Sequence, residues 1–207
     1  MKLLLTMIVI FHLAPVYAQE YSFAKDFVSG TIILNDSAKK SGQIKWYPDP
    51  GEKLKFRDNE NAKTIKYSPD EILEFDTDSL KFIPVFDFEV YAAQFALRGK
   101  KLTVRQSFGQ LLFKGRYSIY FISISEYNAI SGVIQRYPNF LFEKKTDSGS
   151  RYAAYPAGIR MTDKKYEIAK DDLYIFFSDY PEIIEKIKRY RQQDNFFEII
   201  DLIEKLN

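Results

Sequence analysis

The sequence predicts an α+β protein, with an antiparallel β-rich body followed by helices packed on one sheet face. Three observations lead there. Apolar and polar residues alternate with a period of two in short runs from Ser29 to Glu143, the pattern of strands with one covered face. The chain is 16% aromatic, with 18 Phe and 15 Tyr against one Trp, a composition that suits strands and large packed interiors. Only beyond residue 170 do the apolar positions recur at spacings of three and four. Strands first and helices last is an α+β order.

Before the body comes a leader. Met1-Lys2 is a short positive start, Leu3 to Leu13 an apolar run, and Val16-Tyr17-Ala18 an A-x-A-like cleavage site before Gln19. The apolar run is interrupted by Pro15 and falls short of the ~20 residues that span a bilayer. Cleavage leaves no integral membrane segment, and with no cysteine there is no site for a bacterial lipid anchor. The expectation is export to the periplasm or cell exterior. Residues 19–28 then form an N-terminal extension, 29–80 a small antiparallel β lobe, 81–170 the main β-sheet, and 171–207 the C-terminal helices.

The strands follow in order. Gly30 to Leu34 is the first, and Asn35-Asp36-Ser37 turns it through side chains that bond the nearby backbone. Gly42 to Tyr47 alternates Ile44 and Trp46 against Gln43 and Lys45, and Pro48-Asp49-Pro50-Gly51 stops it. Leu54 to Arg57 and Thr64 to Tyr67 alternate again across a polar loop, completing a meander with one wet face. Ser68, Pro69 and Glu71 form a capping box with proline at the first helical position, which predicts one helical turn before Leu73-Glu74-Phe75. Phe86 to Val90 alternates; Leu111 to Tyr117 is a hairpin turning at Lys114-Gly115. Tyr117 to Ile124 is apolar on both faces and therefore central. Asn139 to Glu143 is a strand ended by the turn Asp147-Ser148-Gly149.

The helices close the chain. Asp171 or Asp172 caps one carrying Leu173, Tyr174 and Phe177. Asp179-Tyr180-Pro181 starts one carrying Ile183, Ile184, Ile187 and Tyr190. Asp194 caps a third with Phe196, Phe197, Ile200, Ile203 and Leu206.

These patterns resemble a group of small exported bacterial proteins of unknown function. Their opening reads G-x-I-x-L-N-x-G-x-x-x-x-G-x-I-x-Y, then I-x-F-K/R, then Y-S-P-x-x-I-x-x-F. Here the matching residues are Gly30 to Asn35, Gly42 to Tyr47, Leu54 to Arg57 and Tyr67 to Phe75. Phe108 to Tyr120 is similar to their hairpin, and Tyr180 to Asn207 to their closing helices. The chain departs at Ser37, where the group places a turn glycine. The resemblance implies export and fold, and brings no catalytic residue with it.

Chemistry is bounded mainly by subtraction. The protein has no cysteine, and its one histidine, His12, lies in the leader. The mature chain would lack a Ser-His-Asp triad, a cysteine nucleophile, a His/Cys zinc site and a disulfide, and no cofactor motif is present. Thirty basic residues against 28 acidic ones, 29 against 28 once Lys2 is removed, give no concentrated field for nucleic acid. The basic runs Arg98 to Lys101 and Lys186 to Arg191 read as a solvated turn and a helix face. Carboxylates remain as catalysts, densest at Glu71, Glu74, Asp76, Asp78, Asp87 and Glu89. Asp87 and Glu89 on one strand face are the nameable pair, with Cβ atoms about 6.5–7 Å apart; the same face is equally the wet side of an amphipathic strand. Counted from Asp76, an EF-type calcium loop fails at its later positions. Phe82, Phe86, Phe88, Tyr117, Tyr120 and Phe121 are candidate liners of an apolar or glycan pocket between sheet and helices, and are also what a filled core would use.

The expected function is that of a non-catalytic exported envelope protein binding another protein or surface component. The alternatives are a periplasmic carrier of a small apolar or glycan ligand and a carboxylate-dependent hydrolase. Cleavage after Ala18 predicts a native product that begins at Gln19, which N-terminal sequencing of the exported protein checks; a product beginning at Met1 would rule it out.

Overall fold

The computed structural model describes residues 21–77, 80–93, 99–128, 132–147, 149–156, 163–190 and 197–206. A short helix, α1 (Ser22–Lys25), precedes ten strands: β1 (Val28–Leu34), β2 (Lys39–Lys45), β3 (Leu54–Arg57), β4 (Ile65–Tyr67), β5 (Ile72–Thr77), β6 (Leu80–Ala93), β7 (Gly99–Phe113), β8 (Tyr117–Asn128), β9 (Val133–Thr146) and β10 (Gly149–Pro156). Helices α2 (Asp163–Phe176), α3 (Pro181–Arg189) and α4 (Phe197–Leu206) follow. All strands belong to one antiparallel sheet in the order β10-β9-β8-β7-β6-β5-β1-β2-β3-β4. The α+β reading holds, with the closing helices against one sheet face.

Local chemistry explains the small end of the sheet. Gly30 and Gly42 face each other across β1 and β2. A Cβ on Gly42 would lie 2.5 Å from the Arg57 carbonyl oxygen, and one on Gly30 would lie 2.6 Å from the Ile44 side chain, so both positions need glycine for close approach. Ser37 occupies the left-handed turn position, with φ 67°, and the Asp36 carboxylate steadies the turn by accepting the Ala38 N–H at 2.9 Å. The capping box produces a single 3-10 turn over Pro69–Glu71, where the Glu71 carboxylate accepts both the N–H and the hydroxyl of Ser68. The N-terminal extension becomes α1, which inserts Phe23 between Trp46 and Phe82; the Trp46 N–H bonds the Phe23 carbonyl at 3.0 Å. Phe75 and Phe82, paired across β5 and β6, stack at 4.6 Å. This aromatic cluster is the smaller of two cores.

The second core spans the other half of the sheet, and β8 is buried on both faces. Its odd residues meet the helices: Tyr117 packs on Phe176, Phe177 and Tyr180, while neighbouring Phe142 packs on Phe177 and Phe140 on Phe197. Its even residues Tyr120, Ile122 and Ile124 point the other way, into a concave interior. The sheet curls until β10 faces β6, bringing the Tyr152 and Phe88 rings to 6.0 Å. Asn139 of β9, fully buried, bridges the curl like a strand partner. Its Oδ1 accepts the Tyr91 N–H and its Nδ2 donates to the Tyr91 carbonyl, both at 2.9 Å. The β2–β3 loop docks on the same body, with the Asp49 carboxylate accepting the Ser125 N–H and the Gly51 N–H bonding the Gln106 carbonyl.

One expectation about the helices is corrected. Neither Asp171 nor Asp172 caps a helix: α2 begins at Asp163 and both lie inside it, so the helical region starts before residue 171. Tyr166, Ala169, Leu173 and Phe176 are the buried stripe that carries the earlier turns. A cap rule selects an aspartate before an apolar run, but Asp172 is occupied by tertiary partners instead. Pro181 opens α3 as expected, whereas Asp194 and Phe196 lie outside the described residues.

Replacing Asn139 with leucine keeps the volume roughly filled but strips both partners from the Tyr91 backbone. At about 1–3 kcal/mol for each buried unsatisfied group, the variant should lose about 2–6 kcal/mol in urea denaturation with the m-value unchanged.

Candidate functional site

A cleft of about 190 Å³ opens where the curled sheet meets α2. Glu89 and Tyr91 come from β6, Lys101 from β7, Arg151 to Ala154 from β10, and Asp172, Ile175 and Phe176 from α2. Tyr91 and Lys101 are cross-strand partners, which sets the lysine beside the tyrosine ring. The Tyr91 hydroxyl donates to Asp172 Oδ2 at 2.5 Å, and Lys101 Nζ lies 2.7 Å from the same oxygen. Glu89 completes the set 3.7 Å from Lys101 Nζ. Burial, followed by the Asp172 carboxylate, pushes the Tyr91 hydroxyl well above the ordinary tyrosine range, so it acts here as a fixed donor. Arg151 has no ion-pair partner among the described residues.

Tyr152 links this cleft to a second polar group deeper in the curl. The buried Glu143 carboxylate accepts the Tyr120 hydroxyl at 2.7 Å, the Ser150 hydroxyl at 2.5 Å and the Tyr152 hydroxyl at 3.3 Å. The charge sits among hydroxyl donors, a satisfied network of the kind that fixes a unique packing. Tyr120, held by burial and then by Glu143, is also pushed far above its usual range.

The carboxylates singled out in the sequence are separated in role. Glu89 lines the cleft and shares Lys101 with Asp172. Asp87 does not line it, and its backbone is left-handed at φ 50° within β6. Catalytic carboxyl pairs work with one member protonated or with a clear path to the reacting atom. Glu89 and Asp172 instead sit on a single ammonium, with side chains 57% and 31% exposed. Among the described residues no group of His, Cys, Asp and Glu is arranged to hold a metal.

The aromatic candidates do not converge on one cavity. Phe82 belongs to the small aromatic core, while Phe88, Tyr117 and Tyr120 belong to the large one, and Tyr117 faces the helices. Phe121 packs on Phe140, and Phe86 is exposed. Tyr91, Lys101, Tyr152 and Asp172 carry the cleft and were not singled out in the sequence for it. Lys101 lay in a basic turn and Asp172 in a cap pattern, so neither carried a signal for the other.

Burial raises Tyr152, with help from Glu143, to about 12, and raises Tyr21 to about 12 as well, from an ordinary 10.0. Both hold the proton more tightly when folded. Their stabilisation is therefore complete below the unfolded value and is lost as pH rises from there toward the folded one. Denaturation measured between about pH 10 and 12 should show falling stability, with a shallower fall in Tyr152→Phe.

In comparisons with known protein families, with curated proteins and with solved structures, nothing matches this chain.

Proposed function

We propose that this chain is a non-catalytic exported protein of the cell envelope that binds another protein or a surface component. The observation that carries the reading is an apolar pair beside an ion-paired cleft. Ile168 and Ile175, one heptad apart on α2, are 48% and 66% exposed, and Ile175 forms the rim of the cleft. Large aliphatic side chains on the solvent side of a packed helix, rimmed by charges, are the composition of a macromolecular contact. Lys101 is shared between the Asp172 and Glu89 carboxylates, an arrangement of paired charges that supports binding over catalysis. Export is inferred from residues 1–18. Among the described residues no helix is long and apolar enough to cross a membrane.

The carrier reading has its own support in the lining of the cleft. Two tyrosine rings, two carboxylates and an arginine without an ion-pair partner suit a single sugar ring better than a lipid. The cleft volume, below the ~300–1,000 Å³ of usual ligand pockets, points the same way.

Native mass spectrometry of the protein taken gently from its own envelope tests both. A second polypeptide or surface polymer that disappears in Ile175→Glu supports the binding reading. A small discrete excess that disappears in Arg151→Ala supports the carrier. A bare monomer overturns both.

A further inference from the structure

The wet face of the small β lobe carries an arrangement that neither reading uses. Lys45 lies directly opposite Lys55, and Lys55 directly opposite Lys66, so a row of lysines runs across β2, β3 and β4. Arg57 stands on the same face two residues from Lys55, with its guanidinium 4.1 Å from the Phe27 ring centroid and its Nε donating to Gln43. Lys45 Nζ bonds the Lys25 carbonyl. None of Lys45, Lys55, Arg57 or Lys66 has an ion-pair partner among the described residues.

Like charges placed directly opposite across strands destabilise a sheet. Edge protection against aggregation explains a lysine on the outermost strand, Lys66 on β4, but not Lys45 and Lys55 on the strands inside it. The whole chain is nearly neutral, with 30 basic and 28 acidic residues, so composition does not force the cluster. A bound polyanion would relieve such a repulsion.

We propose that the outer face of β2, β3 and β4 is a docking surface for a linear acidic polysaccharide. The spacing selects the occupant. Neighbouring strands lie about 4.8 Å apart, which anchors the backbones of Lys45, Lys55 and Lys66 at a spacing close to the length of one sugar ring, so their flexible side chains can each reach one carboxylate of a chain that carries one per sugar. Same-side residues of an extended acidic peptide recur at about 6.8 Å and drift out of step. A single small anion needs convergent donors, and this row is linear and flat. The choice of polysaccharide over nucleic acid rests on the export reading; the binding itself does not.

The test uses fluorescently labelled oligogalacturonate, long enough to cross the row, with the mature protein in low-salt buffer. The triple variant Lys45→Gln, Lys55→Gln, Lys66→Gln should bind about tenfold or more weakly, and wild-type affinity should fall steeply with salt. A control that removes equal charge on the helices, Lys186→Gln, Lys188→Gln, Lys205→Gln, should bind like wild type. Because repulsion is relieved, the lobe triple should melt no lower than wild type at low salt, and Lys45→Arg, Lys55→Arg, Lys66→Arg should restore binding. Equal affinity in the lobe and helix triples overturns the proposal. So does capture by phosphatidylglycerol vesicles or by single-stranded DNA in preference to the oligosaccharide, or no binding at low salt. A product found to start at Met1 would defeat the export reading while leaving the affinity measurements standing.

Discussion

Tyr91 is the residue on which the larger half of the molecule closes. Its backbone is held from inside by the Asn139 amide, which supplies both a donor and an acceptor where a neighbouring strand would otherwise pair. Its hydroxyl is held from outside by Asp172 of α2. The curl of the sheet and the seating of the first closing helix therefore meet in one side chain. The amide is the only kind of side chain that offers both a donor and an acceptor in the geometry of a peptide group, which explains a fully buried asparagine among aliphatic and aromatic neighbours.

The cleft is a consequence of that closure. Where β6 turns to face β10, the two strands are joined by side chains rather than by a ladder, and the gap is roofed by α2. Charges from β6, β7 and α2 meet there and satisfy each other. Tyr152, on the wall of the gap, extends inward to a carboxylate surrounded by hydroxyls, so the polar lining of the cleft continues into the interior without an unpaired group at Glu143. Such a network positions its groups rigidly.

Much of the fold is legible along the chain. The meander from Gly30 to Tyr67, the capping box at Ser68, the hairpin at Lys114-Gly115 and the proline start of α3 are each written within a few neighbouring residues, because each follows from backbone sterics or a short side-chain bond. The start of α2 is not legible locally, because Asp172 has the pattern of a cap and the first turns, from Asp163, mix Lys, Tyr and Glu without an obvious apolar stripe. Phe82 and Phe88 looked like neighbours lining one space, yet they feed different cores. They stand about 20 Å apart along the curling β6, so Phe82 meets Phe75 while Phe88 meets Tyr152.

The sequence by itself determined the element types, their antiparallel order, the absence of thiol chemistry and the wet or covered character of most strand faces. These are properties of residues one to four positions apart. Tertiary structure alone decided which distant residues share a place. Asn139 meets Tyr91 across 48 positions and Tyr91 meets Asp172 across 81. Lys45, Lys55 and Lys66 form a row only because two successive registers align them. A one-residue slip in either register would turn the row to the opposite face, and no local propensity records which register is chosen.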